Sequence, residues 1–174
     1  IKTSDRMELV ERAAAIGPVL AERAGDVDRA AEFPHANWAT MNDAGLLGLC
    51  VPTQFGGLGG DLVAYALVAE ELGRHCPATA LTFNMHTATA LLVGVIADDL
   101  DLDQAMRSHL DARRPALWDG MVQRGVIHSQ PFSEGATPGG PQRLGTVATP
   151  VDGGYRVSGR KIFASLSGGA HVHN

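Results

Sequence analysis

Several residue patterns are scarce in this sequence, and each scarcity removes a class of function. Cysteine is nearly absent, with only Cys50 and Cys76 in 174 residues. Each sits in or beside an apolar run, which favours buried thiols in a reducing compartment over a disulfide framework. A single Cys50–Cys76 bridge stays open at this level. Basic charge is also short. The formal charge of −5 offers no positive field for a phosphate backbone, so nucleic acid is not an expected partner. No Gly-X-Ser-X-Gly elbow occurs, so the usual marker of a serine nucleophile is missing. Metal ligands do not converge either. Of the seven histidines only His171 and His173 are tightly spaced, without cysteine or carboxylate support, and no metal site is expected.

A membrane span is the last class to weigh. The first residues are charged and amphipathic, and they read as helix rather than as a secretory leader. The longest charge-free run, residues 76–97, could cross a bilayer by length. It carries Pro77, Thr79, Thr82, Asn84, His86, Thr87 and Thr89, so a helix buried in a bundle is the better expectation. His86 on it reads as a hydrogen-bonded buried residue or a cavity liner, not a base. A cytoplasmic location is expected. An apolar content of 45% with 19% charged residues suits a globular protein.

The pattern that is present begins as helix. Leu9, Ala13, Ile16, Leu20, Ala24 and Val27 recur at steps of three and four, with Ser4 or Asp5 as the cap. Pro18 predicts a kink or break, because it lacks an amide proton and crowds the preceding turn. A second helix over about 34–42 is anchored by Trp38 and Met41, with Gly45 beyond its end. The glycine-rich run 56–60 reads as a tight connector rather than a phosphate cradle, since no strand precedes it. Asp61 caps a third helix carrying Leu62, Tyr65, Ala69 and Leu72. On it Glu70 and Glu71 point about 100° apart, so they do not form a catalytic pair. A fourth helix runs to about 97. A fifth starts at about 103 behind an acidic turn and ends at Pro115.

Composition changes near Gly120. Residues 126–130, 144–149, 155–158 and 160–165 read as strands, with a hairpin turn at 152–154. The fold class is therefore α+β: an all-α helical bundle over residues 1–121, then part of a β-barrel or sandwich over 122–174.

One ordered set of motifs is more specific than any of these signals. Phe33-Pro34, Trp38, Gly45 to Gly48, Val51-Pro52, the 55–60 run and the Glu70-Glu71-Leu72-Gly73 piece resemble the amino-terminal helical domain of acyl-CoA dehydrogenases. Ser133-Glu134-Gly135, Thr146–Ala148 and the Gly153 to Ser165 segment resemble the same family's middle β domain. The resemblance spans about residues 5–171. It implies an FAD-dependent flavoenzyme that desaturates an acyl-CoA thioester, passing a hydride to the flavin and electrons on to an electron-transfer flavoprotein or another acceptor. By position, Gln130, Phe132, Ser133, Phe163 and Ser165 would meet the flavin, with Phe163 standing where the family has Trp. Gly139 and Gly140 would lie toward the substrate. The family's Gly-Ser-Asp continuation is replaced by Ala136-Thr137-Pro138-Gly139-Gly140.

The family's catalytic Glu belongs to a later helical domain, so no catalytic residue is expected in this chain. The chain starts at Ile1 and stops at Asn174, and it is expected to be a fragment of a homodimer or homotetramer. Two other readings stand beside the dehydrogenase. One is a two-component flavin monooxygenase on the same scaffold, using reduced flavin and oxygen on an aromatic or heteroaromatic substrate. The other is a non-catalytic partner subunit of a heteromeric enzyme.

Overall fold

A computed structural model describes residues 3–135 and 144–174. Six helices, α1 (Ser4–Ala30), α2 (His35–Asp43), α3 (Leu62–His75), α4 (Pro77–Leu91), α5 (Ala97–Asp99) and α6 (Gln104–Gln123), precede four short strands. These are β1 (His128–Ser129), β2 (Val147–Val151), β3 (Gly154–Ser158) and β4 (Val172–His173). The order is α+β as expected, a helical body followed by a strand-bearing part.

The core forms where the helical stripes meet. Leu9, Ala13 and Leu20 of α1, Trp38 and Met41 of α2, Val68 and Leu72 of α3, and Phe83 and Ala90 of α4 are all buried in one cluster with Trp118 and Met121 of α6. Each fully buried Leu, Met or Phe contributes about 1.5–3 kcal/mol. Helix α1 lies along α3 closely enough that a methyl group at Gly17 would meet the His75 ring at 2.2 Å. Asp61 caps α3 as expected, its carboxylate accepting from the Ala64 amide at 2.8 Å. Asp103 does the same for Met106 at the start of α6. The cap of α1 is Thr3 rather than Ser4 or Asp5. Both cysteines are free and buried, so the open bridge is absent.

Three helix boundaries differ from expectation. Helix α1 runs unbroken through Pro18, whose side is exposed, while Leu9, Ala13, Gly17 and Leu20 are buried along the opposite side. Helix α6 likewise continues through Pro115 to Gln123, carrying Trp118 and Met121 into the core. In both, burial beyond the proline outweighs the ~3 kcal/mol local cost. Conversely, regular geometry in the fourth helix stops at Leu91. A π turn, Leu92–Ile96, follows, with Gly94 at φ −95° and ψ −106°. Arg114 meets the carbonyls this turn releases, Nε donating to Val93 O at 2.8 Å and Nη2 to Gly94 O at 3.3 Å. The stretch Pro77–Asp99 is long and apolar enough to cross a membrane by length and composition, and half of its most apolar window is buried against the rest of the protein.

The glycine-rich run folds back on the preceding turn. Leu58 N donates to Gly48 O (3.0 Å), Gly59 N to Val51 O (2.9 Å) and Gly60 N to Leu49 O (2.7 Å). These amides are consumed internally, so the run is a connector and not a phosphate cradle. Strands β1 and β4 pair in parallel, His128 with Val172 and Ser129 with His173. Strands β2 and β3 form the expected antiparallel hairpin, turning at Asp152-Gly153. Residues 160–165 are not a strand. They are irregular, with a bend at Ile162, Phe163 at φ 52° and a turn that begins at Ser165.

Candidate functional site

The strand-bearing part is anchored to the helical body by side chains of α4. His86 is fully buried. Its Nε2 donates to Leu47 O at 2.9 Å, and its Nδ1 accepts from the His128 amide at 3.1 Å. Those two bonds fix a neutral imidazole, and burial lowers its pKa to about 4. One turn further, Thr89 Oγ1 accepts from Gln130 Nε2 at 2.6 Å and from Asn174 Nδ2 at 3.2 Å. The two histidines considered for metal are engaged in the same seam. His171 Nδ1 accepts from the Ile127 amide (2.9 Å), and His173 Nδ1 lies 2.6 Å from Ser129 Oγ. Burial also pulls the His128 pKa down. No group of three or more candidate metal ligands occurs among the described residues.

Past this anchored seam the chain opens to solvent. Phe132 is 57% exposed and Phe163 is 84% exposed. The Ile162 amide donates to Ser133 O at 2.9 Å, which sets Ser133 beside the residue preceding Phe163. Ser133 is itself exposed, and Ser165 is partly buried with its amide on Phe163 O at 2.8 Å. A bulky residue in the left-handed region costs about 1–3 kcal/mol and persists only where neighbours impose it. Here the Ile162 and Ser165 amide bonds fix the turn on both sides of Phe163. Two exposed phenyl groups and an exposed serine in adjoining segments suit a flat conjugated ring with polar atoms on its edge, which is the group expected at this position. The structure thus brings Phe132, Ser133, Phe163 and Ser165 into adjoining segments. Gln130 is different: it is buried with its amide committed to Thr89, at the root of the surface rather than on it. Gly139 and Gly140 lie outside the described residues.

The side chain that organises this surface is one that motif reading passed over. Glu134 is only 7% exposed. Its carboxylate accepts from Lys161 Nζ at 2.7 Å, from Thr146 Oγ1 at 2.5 Å, from the Thr146 amide at 3.1 Å and from the Gly145 amide. Lys161, then Thr146 and Gly145, hold its pKa down at about 2, so it is an ionised acceptor with no capacity as a base near neutral pH. The signal lay in the matched motifs, which contain Glu134, Thr146 and Lys161, but their pairing spans 27 positions of sequence and no local pattern reports it. Elsewhere, Glu70 is solvated and paired with Arg74. Glu71 is mostly buried between Arg74 and His75, and neither faces this surface.

A further cleft of about 580 Å³ lies between the first turns of α1 and the glycine-rich connector, with Arg6, Arg12 and Asp61 on its walls. Arg6 and Asp61 are ion-paired, which lowers the Asp61 pKa. Arg12 donates to Ala44 O at 3.2 Å.

Comparison with known proteins follows the same division. An acyl-CoA dehydrogenase from Bacillus subtilis is 29% identical over 154 residues, covering 88% of this chain and 38% of that protein. Isobutylamine N-hydroxylase from Streptomyces viridifaciens is 29% identical over 167 residues, covering 96% of this chain and 38% of its own length. Among solved structures, KijD3 in complex with FMN and a dTDP-linked amino keto sugar superposes with a TM-score of 0.75 at 26% identity, over 92% of this chain and 37% of that one. The chain therefore spans less than half the length of the relatives it matches. Residues 7–98, more than half of the chain, match the family described as acyl-CoA dehydrogenase, N-terminal domain. With its helical body and the order of its motifs in agreement, the chain belongs to the acyl-CoA dehydrogenase family.

Proposed function

We propose that this chain forms one wall of a flavin site in an oxidoreductase whose reaction is the α,β-desaturation of an acyl-CoA thioester. The observation that carries the reading is the open Phe132–Ser133–Phe163 surface on a chain of this family. When bound, the flavin supplies the two-electron chemistry. The chain's own residues do the rest on this side. Phe132 and Phe163 offer apolar faces to the ring, Ser133 offers a hydroxyl donor to its edge, and the anchored β1–β4 seam keeps them in place. FAD is the form that family membership implies, while FMN is the form bound to KijD3. Neither Glu134, which is held ionised, nor His86, which is enclosed and doubly hydrogen-bonded, is available as the base. A carboxylate outside the described residues is the group this reading requires. Electron-transfer flavoprotein or a similar carrier as acceptor, a homodimer or homotetramer, and a cytoplasmic setting complete the proposal.

A second reading, a flavin-dependent monooxygenase, is favoured by one comparison in particular. The N-hydroxylase is 29% identical to this chain over 96% of it, while a putative acyl-CoA dehydrogenase from Bacillus subtilis that covers the same share is 26% identical. The two readings separate in one experiment on the intact protein. Under anaerobic conditions the desaturase form loses its oxidised-flavin absorbance on addition of an acyl-CoA. Product formation only with reduced flavin and oxygen, and no anaerobic bleaching by any acyl-CoA, would overturn the desaturase reading in favour of the monooxygenase.

A further inference from the structure

Two chain segments face the proposed flavin, and nothing local in either segment fixes their spacing. The first, Phe132–Ser133, follows β1 as it leaves the helical body. The second, Phe163–Ser165, follows β3. One backbone bond, Ile162 N to Ser133 O, joins them directly. Behind that bond lies Glu134, which gathers Lys161 from the second segment and Gly145 and Thr146 from the chain leading into β2. The approach is tight. A methyl group at Gly159 would fall 2.3 Å from Thr146 Oγ1 and 2.7 Å from its Cα, so the chain entering Lys161 runs directly against the residue that Glu134 holds. A carboxylate side chain with 7% exposure and four donors from two other stretches of chain is more than a surface ion pair. It is a fixed point for both flavin-facing segments. It also leaves a cation–anion pair immediately beside Ser133, where an imbalance of charge would be felt by the ring.

We propose that the Glu134–Lys161 pair is the positioning device of the flavin wall. Glu134 sets the spacing of Phe132–Ser133 against Phe163, and the pair keeps the charge next to the ring edge near zero. This rests on the flavin reading above. The pair touches neither substrate nor ring, so its role is positioning and not catalysis. Removing one member has two consequences with different signatures. Loss of the cross-link loosens the wall whichever partner is removed. Loss of charge balance has opposite sign in the two cases: E134Q leaves the Lys161 cation uncompensated, and K161Q leaves the Glu134 anion uncompensated. A net cation beside a flavin favours its reduced, more negative form, and a net anion disfavours it.

The test uses the intact protein, with flavin affinity read from fluorescence quenching and the reduction potential of the bound flavin read by dye equilibration. Both E134Q and K161Q are expected to weaken flavin binding by about tenfold or more. At saturating flavin, E134Q should raise the potential and K161Q should lower it, with the double variant returning toward wild type. Shifts of the same sign in both variants, or unchanged affinity and potential beside a wild type that binds flavin, would overturn the proposal while leaving the flavin reading intact. A wild-type protein that binds no flavin overturns both. Should E134Q fail to fold, K161Q and T146V decide on affinity, since each removes a single donor and leaves the other three in place.

Discussion

At the scale of single residues, the buried polar groups of α4 carry consequences that can be measured. His86 is neutral in the folded state, with a pKa lowered to about 4, first by burial and in smaller part by His128. Above the ordinary histidine value of about 6.5 neither state is charged there, and His86 costs nothing. As pH falls from there toward 4, the unfolded chain binds a proton that the folded chain refuses. Stability then declines by about 3 kcal/mol, and the decline levels off below about 4 once both states are protonated. Urea denaturation between pH 7.5 and pH 4 checks this, and H86L should remove that part of the pH dependence. The same variant leaves the His128 amide and the Leu47 carbonyl without partners in the interior. We expect a loss of about 2–4 kcal/mol at neutral pH, measured by the same denaturation. Cys50 gives a kinetic counterpart. Burial pushes its thiol up to about 12, so a disulfide reagent at pH 8 should label it only at the rate at which the protein opens, and rapidly once denatured. Immediate labelling of the folded protein would show that the site is accessible.

At the scale of elements, the break in the fourth helix is held from outside. Helix α4 gives way to a π turn at Gly94, and Arg114 of α6 bonds the Val93 and Gly94 carbonyls while pairing with Asp98 at 2.7 Å. The Arg114 side chain is 13% exposed, so these are largely desolvated, charge-assisted bonds. R114A should cost about 2–3 kcal/mol of stability by chemical denaturation. An unchanged midpoint would mean that the turn stands without it. The elements differ in how far the sequence foretells them. Asp61 and Asp103 cap α3 and α6 because a carboxylate before an amphipathic run meets an amide within the same turn. Pro18 and Pro115 mislead for the complementary reason. Their cost is local, while the burial of Leu20, Trp118 and Met121 that outweighs it depends on what the helix meets.

For the whole molecule, stability is unevenly shared between its two parts. All ten residues of β2 and β3 are exposed, including Val147, Val151, Tyr155 and Val157, and this hairpin meets no third strand among the described residues. Two strands without a covered face are marginal in water. In this chain of 174 residues the β2–β3 amides should exchange with deuterium within seconds to minutes at neutral pH, while those of α3 and α4 remain protected for far longer. Equal protection would show that the hairpin is covered. The sequence alone determined the buried face of α1, the Asp61 cap, the hairpin turn at Asp152-Gly153 and the order of motifs that marks the family. Each of these is written within a few residues, as period, cap or turn chemistry. Tertiary structure decided the rest. It replaced the expected strand at 160–165 with irregular backbone that puts Phe163 in the left-handed region, drew Lys161 onto Glu134, and committed Gln130 to Thr89. Those outcomes join positions up to 41 residues apart. A local pattern holds no record of such a partner, because the energy that selects it exists only once both segments are packed together.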